Sequence, residues 1–360
     1  MNTLDRMSPD RLQALVARFP HLRVAVIGDF FLDKYLDVEP ALAETSLETG
    51  KTAHQVVAVR HSPGAAGTVV CNLASLKAGV LHAIGFTGDD GESYELRNDL
   101  AALGCSTDHL HYDRQRATPT YLKPRDRSNP TLAGEHNRYD IKNRVPTSGA
   151  TKQRLIESLD ALLPQLDAVI AADQVEEEDC GAITKEVVEF LANRAKRYRH
   201  VVFWADSRRR IRRFRNVIIK PNQFEAVGRA DPRPGDEVDP RELAEAIQRL
   251  RAQTGAPICA TCGAAGMVVS DPEMTAVPAV RVEGPIDPTG AGDSATAGAV
   301  LALGAGASLP EAALVGNLVA SITIEQLATT GVARPEQLPP RLGLWRSQNE
   351  TKGQNDSLER

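Results

Sequence analysis

Aromatic residues are scarce in this chain: Phe, Trp and Tyr make up only 4% of its 360 positions. That scarcity argues against the stacking platforms that hold single-stranded nucleic acid. A basic excess is also missing. There are 42 Lys and Arg against 47 Asp and Glu, a formal net charge of −5. A broad nucleic-acid surface needs a strong positive field, so no nucleic-acid partner is expected. No stretch of 18 apolar residues occurs, and with it goes the expectation of a transmembrane helix. The N-terminal segment has no apolar stretch of the signal-peptide kind and carries Asp5, Asp10, Arg11 and Arg18. The expectation is a cytoplasmic protein. Five cysteines, an odd number spread through the chain, do not suggest a disulfide framework. Cys259 and Cys262 have C-x-x-C spacing but no second pair, so they read as small residues packing a strand end.

What is present is an ordinary globular composition, 42% hydrophobic and 25% charged. The length allows two domains or one large one. Ser8 and the spacing of Leu12, Leu15 and Val16 predict a helix over 8–19. Val24–Ile27 reads as a buried strand ending at Gly28-Asp29. Helices are predicted over 66–78, 93–103, 151–162, 181–197, 240–254, 291–303 and 310–327, with apolar strands near 81–86, 168–172, 200–205, 216–220 and 257–261. Such alternation predicts an α/β fold with a mostly parallel sheet covered on both faces. Two polar, strand-rich insertions, near 34–62 and 111–140, emerge after core strands, where ligand-binding loops gather. They read as a small β-lid. Residues 341–360 read as a polar, frayed tail.

Two familiar phosphate motifs fail. Gly50-Lys51-Thr52 resembles the end of a P-loop, but Thr45 stands where the first glycine belongs. The first strand ends in Gly28-Asp29-Phe30, which is not G-x-G-x-x-G. The strong element is Asp287-Pro-Thr-Gly-Ala-Gly-Asp-Ser294, which opens into a helix of small residues. The backbone N–H groups of Gly290, Ala291 and Gly292 can approach an anion, and the helix start favours negative charge. Asp293 lies at the same helix start. As a general base it would accept a proton from a hydroxyl attacking phosphorus. As a helix cap it would have only a structural role. The residues by themselves leave both readings open.

Asp287–Gly298 resembles the C-terminal signature of the PfkB/ribokinase family of sugar and nucleoside kinases. Further family elements follow in order: Gly28-Asp29 with Leu32-Asp33, Pro63–Gly67, Pro221–Glu225 (N-x-x-E), Thr261–Gly266 (T-x-G-x-x-G) and Asn317. The resemblance covers about residues 22–335. Within the family the chain is most similar to heptose 7-phosphate kinases, through Val26–Tyr35, Asn72–Leu76, Thr87–Asp90, the Asp173 segment and Pro221–Ala226. Bifunctional members carry a further nucleotidyltransferase, for which this chain leaves no room, so a kinase-only form is expected.

The resemblance implies a ribokinase-like three-layer α/β/α fold with a mostly parallel central sheet and a small β-lid. The implied layout is an N-terminal extension over 1–21, a kinase domain over 22–340 and the tail over 341–360. It implies ATP-dependent phosphorylation of a sugar or sugar-phosphate hydroxyl. Asp293 would be the base, and Gly290, Ala291 and Gly292 the anion hole. Asn222, Thr261, Gly263, Gly266 and Asn317 would bind ATP. Glu225 would order Mg2+ through water, and Asp287 would join a monovalent-cation site, for K+. Asp29, Asp33, Gly64, Ala65, Thr68 and Arg138 would contact the sugar or sugar phosphate. A homodimer through the β-lid is also implied.

Three departures fall on the acceptor side: Ala65 replaces a glycine, Thr68 replaces an asparagine, and 47–55 differs from the heptose kinases. They keep open a nucleoside kinase, or a non-catalytic sugar- or nucleotide-binding regulator. Arg208, Arg209, Arg210, Arg212, Arg213 and Arg215 form a basic run. It is expected to be a solvated loop, with a phosphate contact as the second reading. Glu176–Asp179 reads as a solvated turn.

Overall fold

Strand Arg23–Gly28 is apolar and buried from Val24 onward. Val24 and Val26 pack into one hydrophobic cluster, and Ala25 and Ile27 into another. A strand of this kind belongs inside a sheet covered by helices on both faces. The computed structural model, which describes residues 2–4, 6–129, 132–233, 235–327 and 330–349, has that arrangement. The central sheet runs, edge to edge, Ile218–Ile219, Val202–Ser207, Ala168–Asp173, Arg23–Gly28, Val80–Thr87 and Cys105–Tyr112. All its neighbours are parallel.

Helices Ala66–Ser75, Ala291–Gly304 and Leu309–Thr323 contribute to the cluster on one face. Gly149–Leu162, Lys185–Arg197 and Pro240–Thr254 contribute to the cluster on the other. The result is a three-layer α/β/α sandwich. Among the described residues, no helix is long and apolar enough to cross a membrane.

Strand order reverses between Arg23–Gly28 and Ala168–Asp173, because the chain's first and fourth core strands are neighbours. Loops leaving the C-terminal ends of such strands diverge and open a crevice. The two strands meet closely here: a Cβ on Gly28 would lie 2.3 Å from the Ala172 carbonyl oxygen. Only glycine fits that approach.

A second sheet stands beyond this crevice, in the order Tyr139–Ile141, Thr120–Asp126, Phe30–Val38, Val56–Ala65. Both polar insertions supply its strands. Phe30–Val38 is antiparallel to Val56–Ala65 but parallel to Thr120–Asp126. A third sheet joins Asn2–Thr3, Thr275–Val277, Met267–Val269 and Cys259–Thr261. It meets the edge of the central sheet through an isolated bridge between Ile219 and Ile258.

The predicted helices and strands are present, with boundaries moved by a few residues. The first helix spans Pro9–Val16 and is followed by a separate 3-10 turn at Phe19–His21. The largest correction concerns the expected tail. Residues 341–349 belong to helix Leu338–Asn349, and 350–360 lie outside the described residues. Its polar composition hides one apolar stripe, Leu338, Leu342 and Trp345, at i, i+4 and i+7. Trp345 is fully buried, and its indole N–H donates to the Pro278 carbonyl at 2.8 Å. Trp345→Ala is therefore expected to cost roughly 3–5 kcal/mol of unfolding free energy, measured by urea denaturation. A tail that merely frays would lose almost nothing.

Candidate active site

Gly290 is the N-cap of helix Ala291–Gly304. It adopts a left-handed conformation, φ 76°, and brings no capping side chain. Ala291 and Gly292 follow with almost no side-chain bulk, so the first turn presents its N–H groups and positive dipole end to the crevice. Behind Gly292 lies Lys220, whose Nζ is 3.3 Å from where a Cβ on Gly292 would stand. Lys220 is buried and paired with Asp206 at 2.8 Å. Burial pulls its pKa down, but the Asp206 carboxylate outweighs that and leaves it above the usual lysine value. It is therefore a fixed ammonium beside this helix start.

Asp293 is the third residue of the helix and not its cap, which removes the capping reading. Among the described residues, none hydrogen-bonds its carboxyl. Desolvation, then repulsion from Asp206, pushes its pKa up to about 7, while Lys220 and Arg208 pull it down.

Asn222 and Glu225 act first on each other. The Asn222 side chain accepts from the Phe224 and Glu225 N–H groups, and Glu225 accepts from the Asn222 N–H at 2.7 Å. They form a capping box for the short helix Gln223–Val227. Burial raises the Glu225 pKa. Asn222 bridges to Thr261, which begins the loop containing Gly263 and Gly266. Asn317 donates to the Val277 and Pro278 carbonyls at 3.0 and 3.2 Å, which fixes the backbone facing that loop. Asp287 is buried and accepts from the Thr289 N–H at 3.0 Å. Among the described residues, no three His, Cys, Asp or Glu cluster as a metal site.

The outer sheet contains a pair that the sequence did not reveal. Asp33 is buried and lies 3.1 Å from Lys123 Nζ. Burial lowers the Lys123 pKa, but Asp33 and then Tyr35 outweigh it. The pair depends on the parallel register that sets Asp33 beside Tyr121 and Tyr35 beside Lys123. Gly64 stands against Asp33, and Thr68 against Gly290.

Asp29 is engaged by backbone. Its carboxylate accepts from the N–H groups of Gln174, Val175 and Ala182 at 2.8, 3.0 and 2.6 Å. These bonds hold the crevice wall, and Asp29 itself lines the crevice. Arg138 is likewise engaged: it forms a two-pronged pair with Asp140 at 2.7 and 2.9 Å, and its guanidinium lies 4.5 Å from the Tyr121 ring centre.

The basic run is largely exposed, as a solvated loop would be, and it also meets the acidic turn. Arg210 pairs with buried Asp173 at 2.5 Å, Arg213 with Glu178 at 2.7 Å, and Arg209 with Glu176 and Asp231. Arg212 donates to the Glu225 and Ala226 carbonyls, and Arg215 to those of Arg212 and Phe214. Desolvation lifts the Asp173 pKa to about 6, against the pull of Arg210.

Ala65 takes φ 55° and ψ −118°, a conformation that suits glycine. Ala65→Gly is expected to raise stability by about 1 kcal/mol, read as a higher urea midpoint. A lower midpoint would contradict the strain.

Comparisons with known proteins fit this architecture. The bifunctional protein HldE of Azorhizobium caulinodans is 28% identical over 320 residues, covering 87% of this chain and 63% of the relative. Its counterpart in Pseudomonas paraeruginosa is 31% identical over 348 residues, covering 93% and 66%. The chain thus spans about two thirds of these curated relatives. Phosphofructokinase-2 from Escherichia coli, solved with substrates and products, superposes with a TM-score of 0.64 at 17% identity, covering 90% of this chain and 100% of that one. Ribokinase of Arabidopsis thaliana, solved with ribose and ATP, gives 0.60 at 14%, covering 90% and 98%. The fold is ribokinase-like. Residues 22–336 match the sequence profile of the pfkB family carbohydrate kinase, and the chain belongs to that family.

Proposed function

We propose that the protein transfers the γ-phosphoryl group of ATP to a hydroxyl of a sugar or sugar phosphate, with Asp293 as general base. The observation that carries the reading is the Asp293 carboxyl. It has no hydrogen-bonding partner among the described residues, has a pKa of about 7, and lies two residues past an uncapped helix start. In the step, the acceptor oxygen bonds to phosphorus and its proton passes to Asp293. The bond to the bridging oxygen breaks, and its electron pair leaves with ADP. The Gly290–Gly292 backbone and Lys220 face the negative charge on the phosphoryl oxygens.

The nucleotide side fits a triphosphate chemically, because bare backbone donors and a buried ammonium adjoin it. Asn222, Thr261, Gly263, Gly266 and Asn317 would hold ATP. Glu225 has one carboxylate oxygen left over from its cap and would hold Mg2+ through water. When bound, Mg2+ supplies charge neutralisation on the phosphates. Asp287 would face a monovalent cation, K+.

On the acceptor side Asp33 is the hydroxyl acceptor, with Gly64, Ala65 and Thr68 around it. Closure of the outer sheet over this side would exclude water. The domain reading is one kinase domain from 22, carried past 340 by the packed helix Leu338–Asn349, with lid insertions near 34–62 and 111–140. The outer strand of that lid exposes Val56, Val57 and Val59, which supports a homodimer contact there. A nucleoside acceptor is the second reading, favoured by Phe30, Phe31, Phe86 and Tyr121 lining the crevice. A thermal-shift panel of sugars, sugar phosphates and nucleosides with Mg-ATP separates the two.

The base must be ionised to act. With its pKa near 7, activity is lost as pH falls through about 7. Below that, kcat/KM is expected to fall about tenfold per pH unit. Asp293→Asn is expected to lower kcat by about 10³-fold while calorimetry finds Mg-ATP bound as before. Wild-type turnover by this variant would remove Asp293 from the chemistry.

A further inference from the structure

Arg208 differs from the other five arginines of its run. Among the described residues it pairs with no carboxylate, and it donates to no backbone carbonyl through its side chain. Its one side-chain bond is from Nε to Gln174 Oε1, at 2.9 Å. Gln174 is itself fixed, because its N–H donates to Asp29. Holding Nε through a neutral partner aims the guanidinium and leaves its charge uncompensated, with both terminal NH2 groups available.

The position is specific. Arg208 directly follows core strand Val202–Ser207, two residues beyond Asp206, the partner of Lys220 at the anion hole. It lines a cleft shared with Asn222 and Glu225 on the nucleotide side. Through Gln174 it touches the crevice of Phe31 and Tyr121 on the acceptor side. Its charge is felt by Asp293 and Tyr121 alike. A cation placed where donor and acceptor sites meet faces the group that passes between them.

We infer that Arg208 is a catalytic residue that contacts the transferring phosphoryl group through its free NH2 groups. The inference rests on the phosphoryl-transfer reading above. As phosphorus leaves the bridging oxygen for the acceptor oxygen, negative charge stays on its equatorial oxygens. A planar guanidinium can bond two of them at once. Gln174 is a positioning residue in this scheme.

The test has two arms. In steady-state assays on the full chain, Arg208→Gln is expected to lower kcat about 100-fold, with KM for ATP and acceptor nearly unchanged. Arg208→Lys is expected to lower it about tenfold. In calorimetry, aluminium fluoride with Mg-ADP imitates the phosphoryl group in flight and needs no acceptor. It should tighten ADP binding to the wild type, and Arg208→Gln should lose that gain while binding Mg-ADP alone as before. Arg208 is exposed and outside the charge network of its neighbours, so both variants should keep the wild-type melting temperature.

An undiminished gain in Arg208→Gln overturns the inference. So does a wild type with no gain, or a variant changed only in acceptor KM. If the wild type phosphorylates no acceptor, the kinase reading falls. The aluminium fluoride arm still judges Arg208 separately.

Discussion

The crevice depends on the carboxylate of Asp29. It sits at the end of the first core strand and gathers three N–H groups from the loop that follows the fourth. A strand-order reversal alone would leave that loop free to diverge. Buried hydrogen bonds to a carboxylate are strong and costly to leave unmade. They fold residues 174–182 into a wall, and that wall carries Gln174 to Arg208 and Val175 to the Arg210 guanidinium. Desolvation nonetheless raises the Asp29 pKa, so the wall is bought with a buried charge.

The same economy explains the opposite charges that meet beside the crevice. Asp173 and Ser207 are paired in register on adjacent parallel strands, so the segments that follow leave the sheet side by side. One is acidic, the other basic. Their ion pairs include one that is almost wholly buried, Asp173 with Arg210, while the rest lie nearer the surface and contribute little each. Their joint effect is geometric. Five arginines are held in place, and Arg208 alone turns a free guanidinium to the cleft.

The proposed phosphate-handling end can be read as one constellation because its parts are contiguous. Gly290 to Asp293 occupy one helix start, and Asn222 and Glu225 one turn. The acceptor end cannot. Asp33 meets Lys123 through strand register, which no local pattern encodes. Lys220 adjoins the N-x-x-E element, yet a lysine beside proline and asparagine looks in sequence like any surface residue. Asp29 and Asp33 looked equivalent in sequence, but one faces a loop's N–H groups and the other an ammonium. The helix around Trp345 was missed because one buried ring among polar neighbours scarcely moves an average.

The outer sheet mixes strand directions, and this orders its assembly. Phe30–Val38 and Val56–Ala65 are antiparallel neighbours that can pair early. The parallel strand Thr120–Asp126 arrives only after the chain has passed through core strands Val80–Thr87 and Cys105–Tyr112 and the helices between them. Closing so long a loop is slow and entropically unfavourable until the core supports it. The contact between Asp33 and Lys123 is thus a long-range one, expected to form late: the outer sheet acquires its paired charge when the first half of the central sheet can support it.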